Sequence, residues 1–312
     1  MTNKKRIFAL GFFDGVHMGH QALLKTCRTL ADQVGCGTAA ITFDRHPQSL
    51  FSENPPALLS SSHDRALLLK TYGMDLICSL PVSKEVMSTP WELFLGNLLQ
   101  QGAAGFVCGD DFHFGHHGEG DAVKLSAFCA ARNLPCVIVP EQLLCGKRIS
   151  SSLIRNLIEA GEMETATRYL GHPHILTGQV LHGRKIGRTL GVPTANLQIP
   201  AGIAVPKFGV YACRAVIGEK VYPAVANVGT RPTVNGSSCP AVANVGTRPT
   251  VNGHGITVEP WILDFEGDLY GQTLQLEFFR FLRAETKFPD LDALKQQIHQ
   301  DAEQTRRYFE TL

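Results

Sequence analysis

Two clusters of residues carry the chemistry of this chain. The first is Gly11-Phe12-Phe13-Asp14-Gly15-Val16-His17-Met18-Gly19-His20, which joins an apolar run to a helical pattern. Glycines let backbone N–H groups approach a phosphate, and a helix N-terminus adds partial positive charge. His17 and His20, three apart, face the same way at a helix start and can donate to phosphate oxygens. Attack of one phosphate on another needs little more than positioning and charge stabilisation. A glycine turn with two incidental histidines is the plainer reading, and the strand–glycine–histidine–helix order makes it the weaker one.

The second cluster is the loop from Gly183 to Asn196, GRKIGRTLGVPTAN, with its glycines, basic residues and Pro-Thr-Ala-Asn turn. Gly183, Lys185 and Gly191 suit a phosphate, and the oxygens of Thr194 and Asn196 suit Mg²⁺. On spacing alone, a basic surface loop explains these residues equally well. The histidines at 113, 116 and 117, with Asp110, Asp111 and Glu119, have metal-ligand chemistry, but intervening glycines weaken that reading. His46, before a proline, is a natural turn cap.

The surrounding pattern divides the chain in two. Apolar runs at 7–10, 39–43, 76–80, 106–108 and 136–139 have strand length and no alternation, as strands buried on both faces do. Helical spacing lies between them, through Leu23, Cys27, Leu30, Ala31 and Val34 for the first helix. Thr89-Pro90-Trp91-Glu92 reads as an N-cap followed by proline at the first helical position. This rhythm predicts a doubly wound parallel sheet. From about Leu176 the segments 178–181, 209–217, 221–228, 257–265 and 273–281 alternate with Gly-rich turns, which predicts an antiparallel β-barrel or sandwich closed by a C-terminal helix from Leu291. The expected domains are residues 1–171 and 175–312.

Composition narrows the partners. Among 312 residues, 29 Lys+Arg nearly balance 28 Asp+Glu, so a broad electrostatic surface for nucleic acid or membrane is not expected. No run reaches the length of a membrane span, and the N-terminal apolar run is broken at Gly11, so a cytoplasmic protein is expected. Nine scattered cysteines without a CxxC pair predict reduced and mostly buried thiols.

Several segments together resemble the bacterial bifunctional riboflavin kinase/FAD synthetases. GFFDGVHMGH resembles their HxGH signature, Thr42–Pro47 their TFxPHP segment, Gly109–Gly115 their GDDFRFG loop and Ile149–Arg155 their ISSTRIR motif. The resemblance covers essentially the whole chain, with His113 in place of Arg, Ser152 in place of Thr and Leu153 in place of the motif's first Arg. It implies that a Rossmann-like nucleotidylyltransferase domain transfers AMP from ATP to FMN. There Gly11, Phe13, Asp14, Gly19 and His46 bind ligand, His17 and His20 contact the ATP phosphates, and Asp111 sits at the nucleotide–flavin junction. Ser151, Ser152 and Arg155 hold phosphate from the other side.

It further implies that the barrel phosphorylates riboflavin through the intact GxPTAN signature, and this decides the reading of the second loop. Thr194 and Asn196 then hold Mg²⁺–ATP, and Glu259 is the base for the ribityl hydroxyl. ATP, riboflavin and FMN are the expected ligands.

Pro223–Gly236 recurs unchanged as Pro240–Gly253, 17 residues on, where the family's pattern has the segment once. Keeping the first copy in the strand lengthens a loop at little entropic cost, whereas the second would interrupt a strand. The first is therefore expected in place. An alternative follows from the duplication, namely an adenylyltransferase whose impaired kinase domain serves as a flavin-binding module.

Overall fold

The computed structural model describes residues 4–181, 192–230 and 256–312. The chain forms two compact units, Met1–Pro56 with Ser62–Ser151, and Ala57–Ser61 with Ser152–Leu312.

The first unit follows the alternation read from the sequence: β1 (Arg6–Leu10), α1 (Met18–Val34), β2 (Gly37–Phe43), α2 (Ser62–Thr71), β3 (Leu76–Leu80), α3 (Lys84–Met87), α4 (Trp91–Gln100), β4 (Ala103–Gly109), α5 (Ala122–Ala130) and β5 (Cys136–Val139), then the two-residue strands β6 (Leu143–Leu144) and β7 (Lys147–Arg148). The main sheet has the order β3-β2-β1-β4-β5, with every pair parallel. Ile7 to Leu10 are fully buried, which explains the unbroken apolar run of a central parallel strand. The α1 stripe is Leu23, Leu24, Cys27 and Ala31; Val34 at the helix end is 45% exposed. Helix α4 starts differently from the expectation. Pro90 is itself the N-cap, and the Thr89 hydroxyl donates back to the Glu85 carbonyl at 3.2 Å. The hydroxyl is engaged with the preceding turn and caps nothing ahead of it.

The second unit opens with α6 (Ser151–Ala160, its first residue counted with the first unit) and α7 (Met163–Leu170). Then come β8 (His174–Leu181), β9 (Asn196–Gln198), β10 (Gly209–Ile217), β11 (Lys220–Thr230), β12 (Ile256–Ile262), β13 (Thr273–Arg283) and α8 (Leu291–Glu310). The six strands close into an antiparallel barrel in the order β10-β11-β12-β9-β8-β13. Leu176, Leu197, Val228, Val258, Leu276 and Phe278 are buried. Gly178 allows β8 and β9 to meet, since a Cβ there would stand 2.2 Å from the Gln198 carbonyl oxygen. Helix α8 is fastened to the barrel by the fork of Arg283 on Asp301, with Nη2–Oδ2 at 2.9 Å and Nε–Oδ1 at 3.0 Å.

Residues 223–230, from the first copy of the repeat, form most of β11, in register with both β10 and β12. The second copy, 240–253, lies outside the described residues. So does Cys239; of the eight described cysteines, all free, four are buried, three half-buried and Cys145 exposed.

Candidate active sites

Steric necessity shapes the turn after β1. A Cβ on Gly11 would meet the Phe13 ring at 2.9–3.2 Å, and Phe13 (φ 59°), Gly15 (φ 73°) and Val16 (φ 40°) all take left-handed conformations. The turn brings His17 to the N-cap of α1, where its Nδ1 accepts the His20 amide at 3.3 Å. That bond leaves the neutral His17 ring with its proton on Nε2. The two imidazoles stack, with centroids 3.6 Å apart at 13°, and Phe13 meets His20 edge-on at 5.3 Å. His20 is half-buried, with Nδ1 shut from solvent and without a hydrogen-bond partner. Burial first, then the neighbouring His17 and Arg65, hold the His20 imidazole well below its usual pKa. The ring is therefore uncharged at neutral pH, not an imidazolium.

Arg65, a residue the sequence reading missed, lies under this turn. It is 1% exposed, stands 4.8 Å over the Phe12 ring and donates to the Phe43 carbonyl. Burial lowers its pKa, and Asp14 and Asp44 oppose that. Asp14 is itself buried beneath the turn, and its carbonyl accepts the Ser151 hydroxyl at 3.2 Å.

A cavity of about 350 Å³ opens at the carboxyl ends of β1, β4 and β5, where the strand order reverses and open α/β sheets bind ligands. Gly11, Phe13, His17, Gly19, His20, Asp111 and Ser151 line it, and Asp14 and His46 do not. His46 instead caps a short turn, its Nδ1 accepting the Gln48 amide at 3.1 Å. Opposite the histidines, Asp111 pairs with Arg148, which also binds Glu141 at 2.8 Å. His113 stays near this wall with Nδ1 3.0 Å from the Asp111 carbonyl, while His116 and His117 face each other at 4.0 Å. Arg148 is the cation of this wall, and the sequence reading passed over it although it directly precedes Ile149-Ser150-Ser151. Ser152 and Arg155 belong to the second unit; Ser152 is exposed and Arg155 donates to the Ala57 carbonyl.

In the barrel the register assembles the second cluster. Thr194 bridges Trp261, the Ala195 amide donates to the Pro260 carbonyl at 2.9 Å, and Leu197 pairs with Val258. Asn196 therefore stands level with Glu259, on the face opposite the buried Leu197 and Val258. All three polar residues, Thr194, Asn196 and Glu259, are half-buried. The Trp261 ring meets His299 of α8 edge-on at 5.7 Å. Gly183, Lys185 and Gly191 lie outside the described residues. Hydroxyl and carboxamide oxygens beside a carboxylate are the donors a hard cation takes, and two neutral oxygens leave most of its shell to phosphate and water.

A parallel sheet with a phosphate turn at its switch point and a barrel with a hydroxyl–amide–carboxylate cluster describe a two-domain, nucleotide-dependent transferase. Family models agree: FAD synthetase matches residues 1–153, and riboflavin kinase matches 170–239 and 234–309, two overlapping pieces that each contain one copy of the repeat. The bifunctional riboflavin kinase/FMN adenylyltransferase of Listeria monocytogenes is 32% identical over 100% of this chain and 95% of its own. That of Escherichia coli is 33% identical over 97% and 92%. A crystal structure described as a macrolide-efflux protein from Streptococcus pneumoniae superposes with TM-score 0.82 at 29% identity, covering 98% of this chain and 95% of its own. Among the described residues no helix is long and apolar enough to cross a membrane. This chain belongs to the bifunctional riboflavin kinase/FMN adenylyltransferase family.

Proposed function

We propose that the enzyme makes FAD from riboflavin in two ATP-dependent steps, one in each proposed domain, 175–312 and then 1–171. In the barrel, Glu259 accepts the proton of the ribityl 5′-hydroxyl as its oxygen bonds to the γ-phosphorus, and ADP departs. Thr194 and Asn196 would hold Mg²⁺, which supplies positive charge on the ATP phosphates. Gly183, Lys185 and Gly191 are proposed for the same nucleotide. In the sheet domain, a phosphate oxygen of FMN bonds to the α-phosphorus of ATP, and pyrophosphate leaves. His17, through Nε2–H, and His20 as a neutral donor stabilise the phosphate charge, with the backbone amides of the Gly11–Gly19 turn beside them. Asp111 orients the flavin–nucleotide junction, and Ser151, Ser152 and Arg155 hold phosphate. His46 acts on this site by shaping the turn beside Phe12, whose ring it meets edge-on at 5.3 Å. A cytoplasmic location, expected from the broken N-terminal apolar run and the lack of a span-length apolar run, completes the reading.

The observation that carries this function is the strand register that sets Glu259 level with Asn196 and beside the Thr194 turn. The alternative of an impaired barrel has nothing in its favour: the first copy of the repeat forms β11 in register with the Glu259 strand. The test supplies riboflavin, ATP and Mg²⁺ and follows FMN and FAD by chromatography. E259Q is expected to stop FMN formation while FAD still forms from added FMN; H17N/H20N is expected to do the reverse. A wild-type chain that folds yet yields no FMN overturns the kinase reading, and one that cannot adenylylate added FMN overturns the other.

A further inference from the structure

The residue opposite Glu259 on β11 is Asn227. Cross-strand partners share a face of the sheet and stand about 5 Å apart at Cβ. Asn227, Glu259 and Asn196 thus form a row across β11, β12 and β9. Asn227 Nδ2 donates to Glu285 Oε1 at 3.2 Å, from the segment that follows β13. Gly229, two residues along the same face, makes room for that carboxylate, because a Cβ there would sit 2.3 Å from Glu285 Oε1. A carboxamide nitrogen carries two donors. Glu285 takes one, and the other is within cross-strand reach of the Glu259 carboxylate.

We propose that Asn227, clamped by Glu285, is a positioning residue that fixes one oxygen of Glu259 and aims the other at the acceptor hydroxyl. The inference rests on Glu259 being the kinase base. A single amide between two carboxylates also separates their like charges and gives each a donor. It accounts for two positions of the duplicated segment at once, since Asn227 holds both acids and Gly229 admits the second. Asn244 and Gly246 repeat that pair in the other copy.

The experiment measures riboflavin kinase kcat and KM on the full chain, with adenylylation of added FMN as the folding control. N227A is expected to lower kinase kcat about 10- to 100-fold, the scale of losing a positioned catalytic group, while both KM values and FAD formation hold. E285A is expected to lower kcat in the wild-type background and to add nothing in N227A; E285Q, which keeps an acceptor oxygen, rescues most of the loss. N244A is expected to be silent. Unchanged kcat in N227A overturns the proposal, as does an E285A loss of equal size in both backgrounds, or a loss in N244A instead. Should N227A fail to fold, E285A decides, because Glu285 is exposed: loss confined to kcat supports the clamp, and loss confined to KM refutes it. E259Q separates the two ideas. If E259Q keeps its turnover, the base assignment fails; if E259Q is dead and N227A is normal, only the clamp fails.

Discussion

Alanine at position 11 adds one carbon to the phosphate turn and tests whether the histidine stack must be held to within a fraction of an ångström. Gly11 has no left-handed φ, so the backbone accepts alanine, and the nearest conflict is with the Phe13 ring. The new Cβ would meet ring carbons at 2.9, 3.0 and 3.2 Å. Carbon contacts are comfortable from about 3.5 Å, so the ring must retreat by about 0.5 Å. It is fully buried and leans on His20, which stacks on His17, so the retreat passes into the donors themselves. Overpacking of this kind costs about 1–3 kcal/mol of stability. A shift approaching 1 Å at a reacting centre costs up to about 100-fold in rate, so FAD formation from FMN and ATP is expected to fall by about 10-fold or more. FMN formation from riboflavin, in the other unit, is the internal control. Phe13→Leu removes the ring atoms that the alanine strikes, so G11A/F13L is expected to lose less than the two single variants would together. Wild-type adenylylation by a folded G11A would refute the reasoning, as would simple additivity of the pair.

Three further outcomes follow from the same coordinates. His174 is 1% exposed, its Nε2 lies 3.1 Å from the Ala204 carbonyl, and burial lowers its pKa from 6.5 to about 4. The unfolded chain then binds the proton first, so stability present above pH 6.5 is lost as pH falls toward 4, by up to about 3 kcal/mol. Urea midpoints measured against pH should flatten over that window in H174Q, which keeps a donor for Ala204. R148M removes the partner of Asp111 and Glu141, and is expected to raise KM for ATP or FMN in adenylylation only. Its half-exposed pairs contribute less than about 1 kcal/mol, so the Tm should hold. D301A strips the acceptor from Arg283 at a site where Asp301 is 1% exposed, and should destabilise the second unit by about 3–5 kcal/mol in thermal unfolding.

What the sequence disclosed depended on range. The central strands β1, β2 and β4 were legible because a strand buried on both faces is apolar nearly throughout, and the edge strands β3 and β5, mostly half-buried, still carry short apolar runs. Glycines, histidines and the helix start of the first site are consecutive, so one local pattern carried them. Strand β9 escaped, since three residues starting at the last position of the Pro-Thr-Ala-Asn turn show no period and pair only through strands distant in sequence. Arg65 escaped for a related reason. An arginine in a helix normally marks a solvated face, and only the fold buries this one beneath a turn about fifty residues upstream. Thr89 misled because a threonine before a proline fits an N-cap pattern equally well when its hydroxyl is engaged behind it.

The duplication shows how a closed barrel can carry added chain. A strand inside the barrel has neighbours on both sides, so an insertion there breaks two ladders; β11 pairs with β10 through residues 220–228 and with β12 through residues 224–230. The connection from β11 to β12 is the stretch 231–255, outside the described residues. The duplication adds 17 residues to this stretch, and lengthening it from single-copy size adds only about 1 kcal/mol of closure entropy. That is small beside the cost of misplacing Asn227 and Gly229, which face Glu259 and Glu285 only if the first copy keeps the register it has. Deleting residues 237–253, which leaves the same sequence as deleting 223–239, should therefore leave the kinase row intact and raise stability slightly. Kinase turnover and thermal midpoint of that single-copy chain check this: retained turnover with an unchanged or higher midpoint is expected, and lost turnover in a folded single-copy chain would show that the added residues belong to the working barrel and would sink this account.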